Sequence, residues 1–185
     1  MRVLVVFGTT EGQTRKIATF IADRLRAQGH EAALVDAGMD AISPDPTEFG
    51  AVLVAASLHA GSYQPAVIEF VRRHCAAITA RRNAFLSVSL AAASHDAQER
   101  AGLEQCIARF VRESGWSPDR IQHVAGAFRY TAYGFFKRWA MKYIAYRKGV
   151  PTDTRRDYEL TDWNELARFA ATFTSDDSAG MRRTS

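Results

Sequence analysis

Apolar positions along this chain fall in two rhythms that take turns. Val3 to Phe7 is an unbroken apolar run, too short and too β-branched for a helix, and it fits a strand buried on both faces of a parallel sheet. Over residues 13–28 the rhythm changes, and Ile17, Phe20, Ile21 and Leu25 make one stripe of an amphipathic helix. The same exchange then recurs. Glu31 to Asp36, Ala51 to Ser57, Ala84 to Leu90 and Ile121 to Phe128 read as strands two to five, the third apolar throughout and therefore central. Pro65 can open a second helix, with Val67, Phe70, Val71, His74, Cys75 and Ile78 inward. Gln98 to Glu113 predicts a third, with Leu103, Cys106, Ile107, Phe110 and Val111 inward. Thr161 is the expected cap of a last helix carrying Trp163, Leu166, Ala170 and Phe173. Asp40 to Phe49, punctuated by Ser43-Pro44 and Asp45-Pro46, reads as a loop. Strands alternating with helices predict an α/β protein: a doubly wound, five-stranded parallel sheet with helices on both faces and right-handed crossovers.

The junction of the first strand and helix, Gly8-Thr9-Thr10-Glu11-Gly12-Gln13-Thr14, carries the first chemistry. A helix N-terminus offers unpaired N–H groups and the positive end of the macrodipole to an anion. Thr9, Thr10 and Thr14 add hydroxyl donors there. The turn is not a Walker A loop, because Gly8 and Gly12 are one residue too close and Gln13 stands where lysine is needed. Nor is it the dinucleotide fingerprint, which needs a third glycine. A hydroxyl-rich loop without lysine suits a single terminal phosphate rather than a polyphosphate with magnesium. An ordinary capped helix after a tight turn is the competing reading. In a doubly wound sheet the ligand lies outside the carboxyl ends of the strands, so two more turns are candidates. These are Ser57-Leu58-His59-Ala60-Gly61-Ser62-Tyr63, with small residues for close approach to a flat ring and with His59 and Tyr63 to stack or hydrogen-bond, and the segment Ser89-Leu90-Ala91 onward. Ala91-Ala92-Ala93-Ser94-His95 holds no aromatic side chain except the His95 imidazole, leaving a ring face open to a bulky substrate.

A chain of 185 residues with 47% hydrophobic and 24% charged residues is long enough for one sizeable core. One domain is expected over residues 1–175, with a polar tail, 176–185, expected to be disordered. No apolar run reaches a membrane span and no signal-peptide pattern is present, so a cytoplasmic protein is expected. Cys75 and Cys106 form no C-x-x-C and sit at apolar helix positions, which reads as buried structural thiols. The five histidines lack ligand spacing, and no metal site is expected.

Charge changes the picture at one place. Residues 129–148, Arg129 to Lys148, hold six basic residues and no acidic one; taking that +6 from the chain's net +4 leaves −2 elsewhere. On a helix, Phe136, Trp139, Ala140, Tyr143 and Ile144 share one face, flanked by Lys137, Arg138, Lys142 and Lys148. That arrangement describes an interfacial helix attracted to anionic lipid, or a helix packed on the sheet with a solvated basic edge. No nucleic-acid reading motif accompanies the patch, so nucleic acid is not an expected partner.

The turn pattern T-x-E-G-x-T after the first strand resembles the flavodoxin family. Further segments resemble the bacterial menaquinone-dependent protoporphyrinogen oxidases, flavodoxin-like enzymes of haem biosynthesis with a long insertion near the fifth strand. They are Glu11 to Arg15, Glu69-Phe70-Val71, Trp116-x-Pro118-Asp119-Arg120, Ala125-Gly126-Ala127-x-Arg129-Tyr130, Thr152-Asp153-Thr154-Arg155 and Tyr158-x-x-Thr161-Asp162-Trp163, spread over residues 2–173. The chain departs from that family at His59-Ala60 and Ala92-Ala93, where larger or more basic residues are expected.

The resemblance implies strand order 2-1-3-4-5, an insertion over about 130–157, and FMN as cofactor. It implies that Thr9, Thr10, Glu11, Gly12, Gln13 and Thr14 hold its phosphate, while Ser57, Leu58, His59, Ala60, Gly61, Ser89, Leu90 and Ala91 flank its ring. The flavin carries the chemistry, so no catalytic side chain is expected. The implied function is oxidation of protoporphyrinogen IX to protoporphyrin IX. Its partners would be a tetrapyrrole substrate, a membrane quinone and the anionic inner face of the cell membrane, met through residues 129–148 with Arg129 able to attract propionates. A flavodoxin-like electron carrier docking a protein partner and a general NAD(P)H:quinone reductase are the alternatives. A homo-oligomer stays open.

Overall fold

Each apolar run becomes a strand of one parallel sheet. The computed structural model describes residues 1–39, 44–94, 96–128 and 158–175. Strands β1 (Arg2–Gly8), β2 (Glu31–Asp36), β3 (Ala51–Ser57), β4 (Arg82–Ser89) and β5 (Ile121–Ala125) pair in parallel in the order β2-β1-β3-β4-β5. Helices α1 (Gln13–Ala27), α2 (Pro65–Thr79), α3 (Ala97–Ser114) and α4 (Trp163–Phe173) cover it. This is the expected doubly wound architecture with β3 near its centre.

Period-two alternation divides the strand residues between two cores. Val3, Val5 and Phe7 face Ile17, Ile21 and Leu25 of α1 and Leu166, Phe169 and Phe173 of α4. Leu4 and Val6 face the other side, with Val67, Val71 and Ile78 of α2 and Ile107 and Phe110 of α3. Each such side chain removed from water contributes on the order of 1.5–3 kcal/mol, which is why the apolar pattern decides the topology. The second core holds an aromatic cluster. Phe85 and Phe110 stack at 4.4 Å, and Tyr63 and Trp116 meet both rings edge-on.

Several details differ from the sequence reading. Strand five ends at Ala125, and after Gly126 a two-residue strand β6 (Ala127–Phe128) pairs antiparallel with β7 (Tyr158–Glu159). Gly126 is the junction: its N–H donates to Ser89 O and its carbonyl accepts from Leu160 N, both at 3.0 Å. Asp162, not Thr161, caps α4, its carboxylate accepting from Asn164 N and Glu165 N at 2.9 Å. Two adjacent cap-type residues compete there, and the carboxylate reaches the helix while the Thr161 hydroxyl donates to Ala125 O at 2.7 Å. Tyr63 belongs to the core and not to a binding turn. It is 3% exposed, its hydroxyl lies 2.8 Å from Ser87 Oγ, and burial pushes its phenol above the ordinary range. Cys75, Cys106 and His74 are only partly buried, and Phe20 and Trp163 pack on each other at 4.9 Å at the rim of the first core. The insertion, the basic segment from Arg129 onward, His95 and the tail lie outside the described residues.

Candidate functional site

The chain leaves β1 at Gly8, where a Cβ would stand 2.4 Å from Val67 Cγ2, so only glycine lets the first turn pass this close to α2. Thr9 Oγ1 accepts the Gly12 N–H at 2.8 Å, folding the turn back on itself. Gly12 precedes α1 with φ 88°, a left-handed conformation that suits glycine, and no side chain among the described residues caps the helix. The first turn of α1 carries no acidic residue, while Arg24 and Arg26 occupy the last. Its positive end is thus left uncompensated by protein carboxylates of that turn. Thr14 sits one residue into the helix, 0% exposed, and its hydroxyl has no hydrogen-bond partner among the described residues. A buried hydroxyl in that state costs roughly 1–3 kcal/mol unless a ligand completes it.

The second turn begins at Ser57, at the end of β3. Leu58 N donates to Val88 O at 2.7 Å, and His59 and Ser62 exchange backbone hydrogen bonds at 2.9 and 3.1 Å. Ala60 (φ 49°) and Gly61 (φ 81°) both take left-handed backbone between them, the signature of a tight primed turn. The third turn is a single 3-10 turn, Ala91–Ala93, held by Ala92 N donating to Ser89 Oγ at 3.1 Å.

These three turns enclose a cavity of about 300 Å³ at the carboxyl end of the sheet. Thr9, Thr10, Glu11, Gln13 and Thr14 line it from the first turn; Ser57, Leu58, His59, Ala60 and Gly61 from the second; and Ser89, Leu90 and Ala91 from the third. Gly12 shapes the loop without lining the cavity. Val88, Gly126 and Ala127 complete the wall and were not legible in the sequence, since the break after Ala125 that brings Gly126 and Ala127 here depends on the β6–β7 pairing. Among the described residues no lysine, arginine or aromatic ring other than the His59 imidazole lines the cavity. Two side-chain amides brace it. Gln13 Nε2 donates to Thr161 Oγ1 at 2.9 Å, which ties the start of α1 to the residue before the α4 cap and leaves the Gln13 backbone N–H at the helix start. Gln64 Nε2 donates to Thr10 Oγ1 at 3.1 Å and to Ser57 Oγ at 2.5 Å, joining the first turn to the second. Nothing near residue 64 in the sequence signals this, because both partners are distant or across a turn.

Chemically, the site offers neutral donors and a helix N-terminus at one end and aliphatic walls from Leu58, Leu90 and the alanines at the other. Among the described residues no cluster of His, Cys, Asp or Glu could hold a metal ion. The family model described as flavodoxin domain matches residues 4–155. The chain belongs to the flavodoxin domain family. As a flavodoxin domain it is 36% identical to a protoporphyrinogen IX dehydrogenase (quinone) of Escherichia coli K12, over 92% of this chain and 93% of that protein. It is 31% identical to a protein of the same name from Leishmania major, over 93% of this chain and 74% of the other. Oxidised flavodoxin 1 from Bacillus cereus shares the fold at 15% identity, with a TM-score of 0.53 over 94% of this chain and 97% of that one.

Proposed function

We propose that this flavodoxin domain binds FMN between its three turns and oxidises protoporphyrinogen IX to protoporphyrin IX, with a membrane quinone as electron acceptor. The observation that carries the proposal is the similarity, over more than nine-tenths of this chain, to two proteins named for that reaction. The site fits the cofactor. Among the described residues the buried Thr14 hydroxyl lacks a partner at the start of α1, which is what a phosphate acceptor would complete. Thr9, Thr10, Glu11, Gly12, Gln13 and Thr14 would hold the phosphate, Gln13 through its backbone N–H. Residues 57–61 and 89–91 would flank the ring, with Ser57 at the phosphate side of that wall, where Gln64 bridges it to Thr10.

FMN, when bound, would supply the redox chemistry between the porphyrinogen and the quinone. The protein's part is to bind, to orient and to leave one face accessible. Small residues at Ala60, Gly61 and Ala91 serve that purpose, since a tetrapyrrole needs a wide approach. No side chain is assigned a proton-transfer step.

The acceptor lies in the membrane, and the basic aromatic segment 129–148 supplies the chemistry for a peripheral attachment to anionic lipid. Among the described residues no helix is long and apolar enough to cross a membrane. Residues 1–175 are proposed as one domain. Mixing FMN-loaded protein with NADH or NADPH and a quinone separates the readings: the proposal expects no nicotinamide consumption, and rapid consumption would indicate a general quinone reductase instead.

A further inference from the structure

Gln64 ends the second turn immediately before α2, outside the set of residues that line the cavity, yet its amide reaches into both walls. Its orientation is fixed by a group that can only donate: Ser57 N–H, which meets Oε1 at 3.1 Å. With Oε1 so placed, the two hydrogens of Nε2 face the oxygens of Thr10 and Ser57. A reversed amide would set N–H against N–H. Both hydroxyls therefore spend a lone pair on Gln64, and each has its one proton left to give elsewhere. Thr10 and Ser57 both line the cavity. Thr9 is in the same condition, its oxygen accepting from Gly12 N.

We infer that Gln64 is a positioning residue that turns the Thr10 and Ser57 hydroxyls into donors toward the cavity, selecting a ligand with an anionic acceptor such as a terminal phosphate over its neutral counterpart. The inference rests on the proposed flavin site and adds a residue from outside the cavity lining. Its consequence is a preference between ligands. A merely structural clip between two turns would weaken all flavins alike when cut.

Flavin-fluorescence titration of the full chain with FMN and with riboflavin reads this directly. Wild type is expected to prefer FMN, and equal affinity for the two would overturn both the phosphate reading and the inference. Q64M removes the amide without adding charge, and the FMN-to-riboflavin affinity ratio is expected to fall roughly tenfold, the scale of hydrogen bonds to a charged group. In a T10V/S57A background the same Q64M change should alter the ratio by less than about twofold, because Gln64 acts through those hydroxyls. Q64E is the second variant. It keeps the acceptor for Ser57 N–H but draws both hydroxyl protons onto its carboxylate, so the ratio should fall further than in Q64M. A wild type that prefers FMN with an unchanged ratio in Q64M or Q64E, or full additivity in the cycle, would overturn the inference about Gln64 and leave the flavin reading standing.

Discussion

Replacing Thr14 by valine separates ligand binding from stability, because the two should move in opposite directions. The Thr14 hydroxyl is fully buried and has no partner among the described residues. Valine keeps the β-branched shape and a similar helix propensity while deleting the oxygen. In the ligand-free protein the change removes an unsatisfied polar group, so stability should hold or rise by about 1 kcal/mol, a shift of roughly 2–4 °C in Tm for a chain of this size. FMN loses one hydrogen bond between a hydroxyl and a charged phosphate, worth about 1.5–3 kcal/mol, or roughly a ten- to hundredfold weaker Kd. Fluorescence titration and thermal melting of the same preparation measure both. Unchanged FMN affinity together with a lowered Tm would refute the reasoning and return Thr14 to an ordinary core position.

Three other outcomes are expected. Changing Lys137, Arg138 and Lys142 to glutamine should sharply reduce co-sedimentation with anionic vesicles, at about 1 kcal/mol per cation at low salt, and leave FMN affinity unchanged; equal sedimentation of both proteins would favour a helix packed on the domain. Ala60→Gly relieves a left-handed backbone at φ 49° and should stabilise the protein by about 0.5–1 kcal/mol in a denaturant melt, whereas a loss of stability would contradict the assigned turn. Burial and the neighbouring Arg73 hold His74 below its ordinary pKa of 6.5, partly offset by Asp45. The unfolded chain then takes up this proton at higher pH than the folded one. Stability should be full above about pH 6.5 and fall as pH drops through the folded value, and His74→Gln should flatten that dependence.

What could be read from the sequence follows the range of the forces involved. Val3 to Phe7 and Ala51 to Ser57 announce buried strands because a parallel sheet covered on both faces needs apolar side chains at every position. The first turn is equally plain, since glycine and threonine chemistry there is local. Tyr63 misleads because a phenol beside a loop looks available; only the packing of Phe85 and Phe110 reveals that it is core. The bend at Gly126, the choice of Asp162 over Thr161 as cap, and the Gln64 bridge each depend on partners far away in sequence or around a tight turn. Local pattern carries no information about such pairings.

The central claim meets its most direct test in anaerobic incubation of the protein with protoporphyrinogen IX and menaquinone, with and without FMN, followed by porphyrin fluorescence. Porphyrin should form with the FMN-loaded protein at a rate that depends on the quinone, and FMN-free protein should give only the background rate. Porphyrin formation that is indifferent to FMN, or none with FMN and quinone both present, would contradict the account.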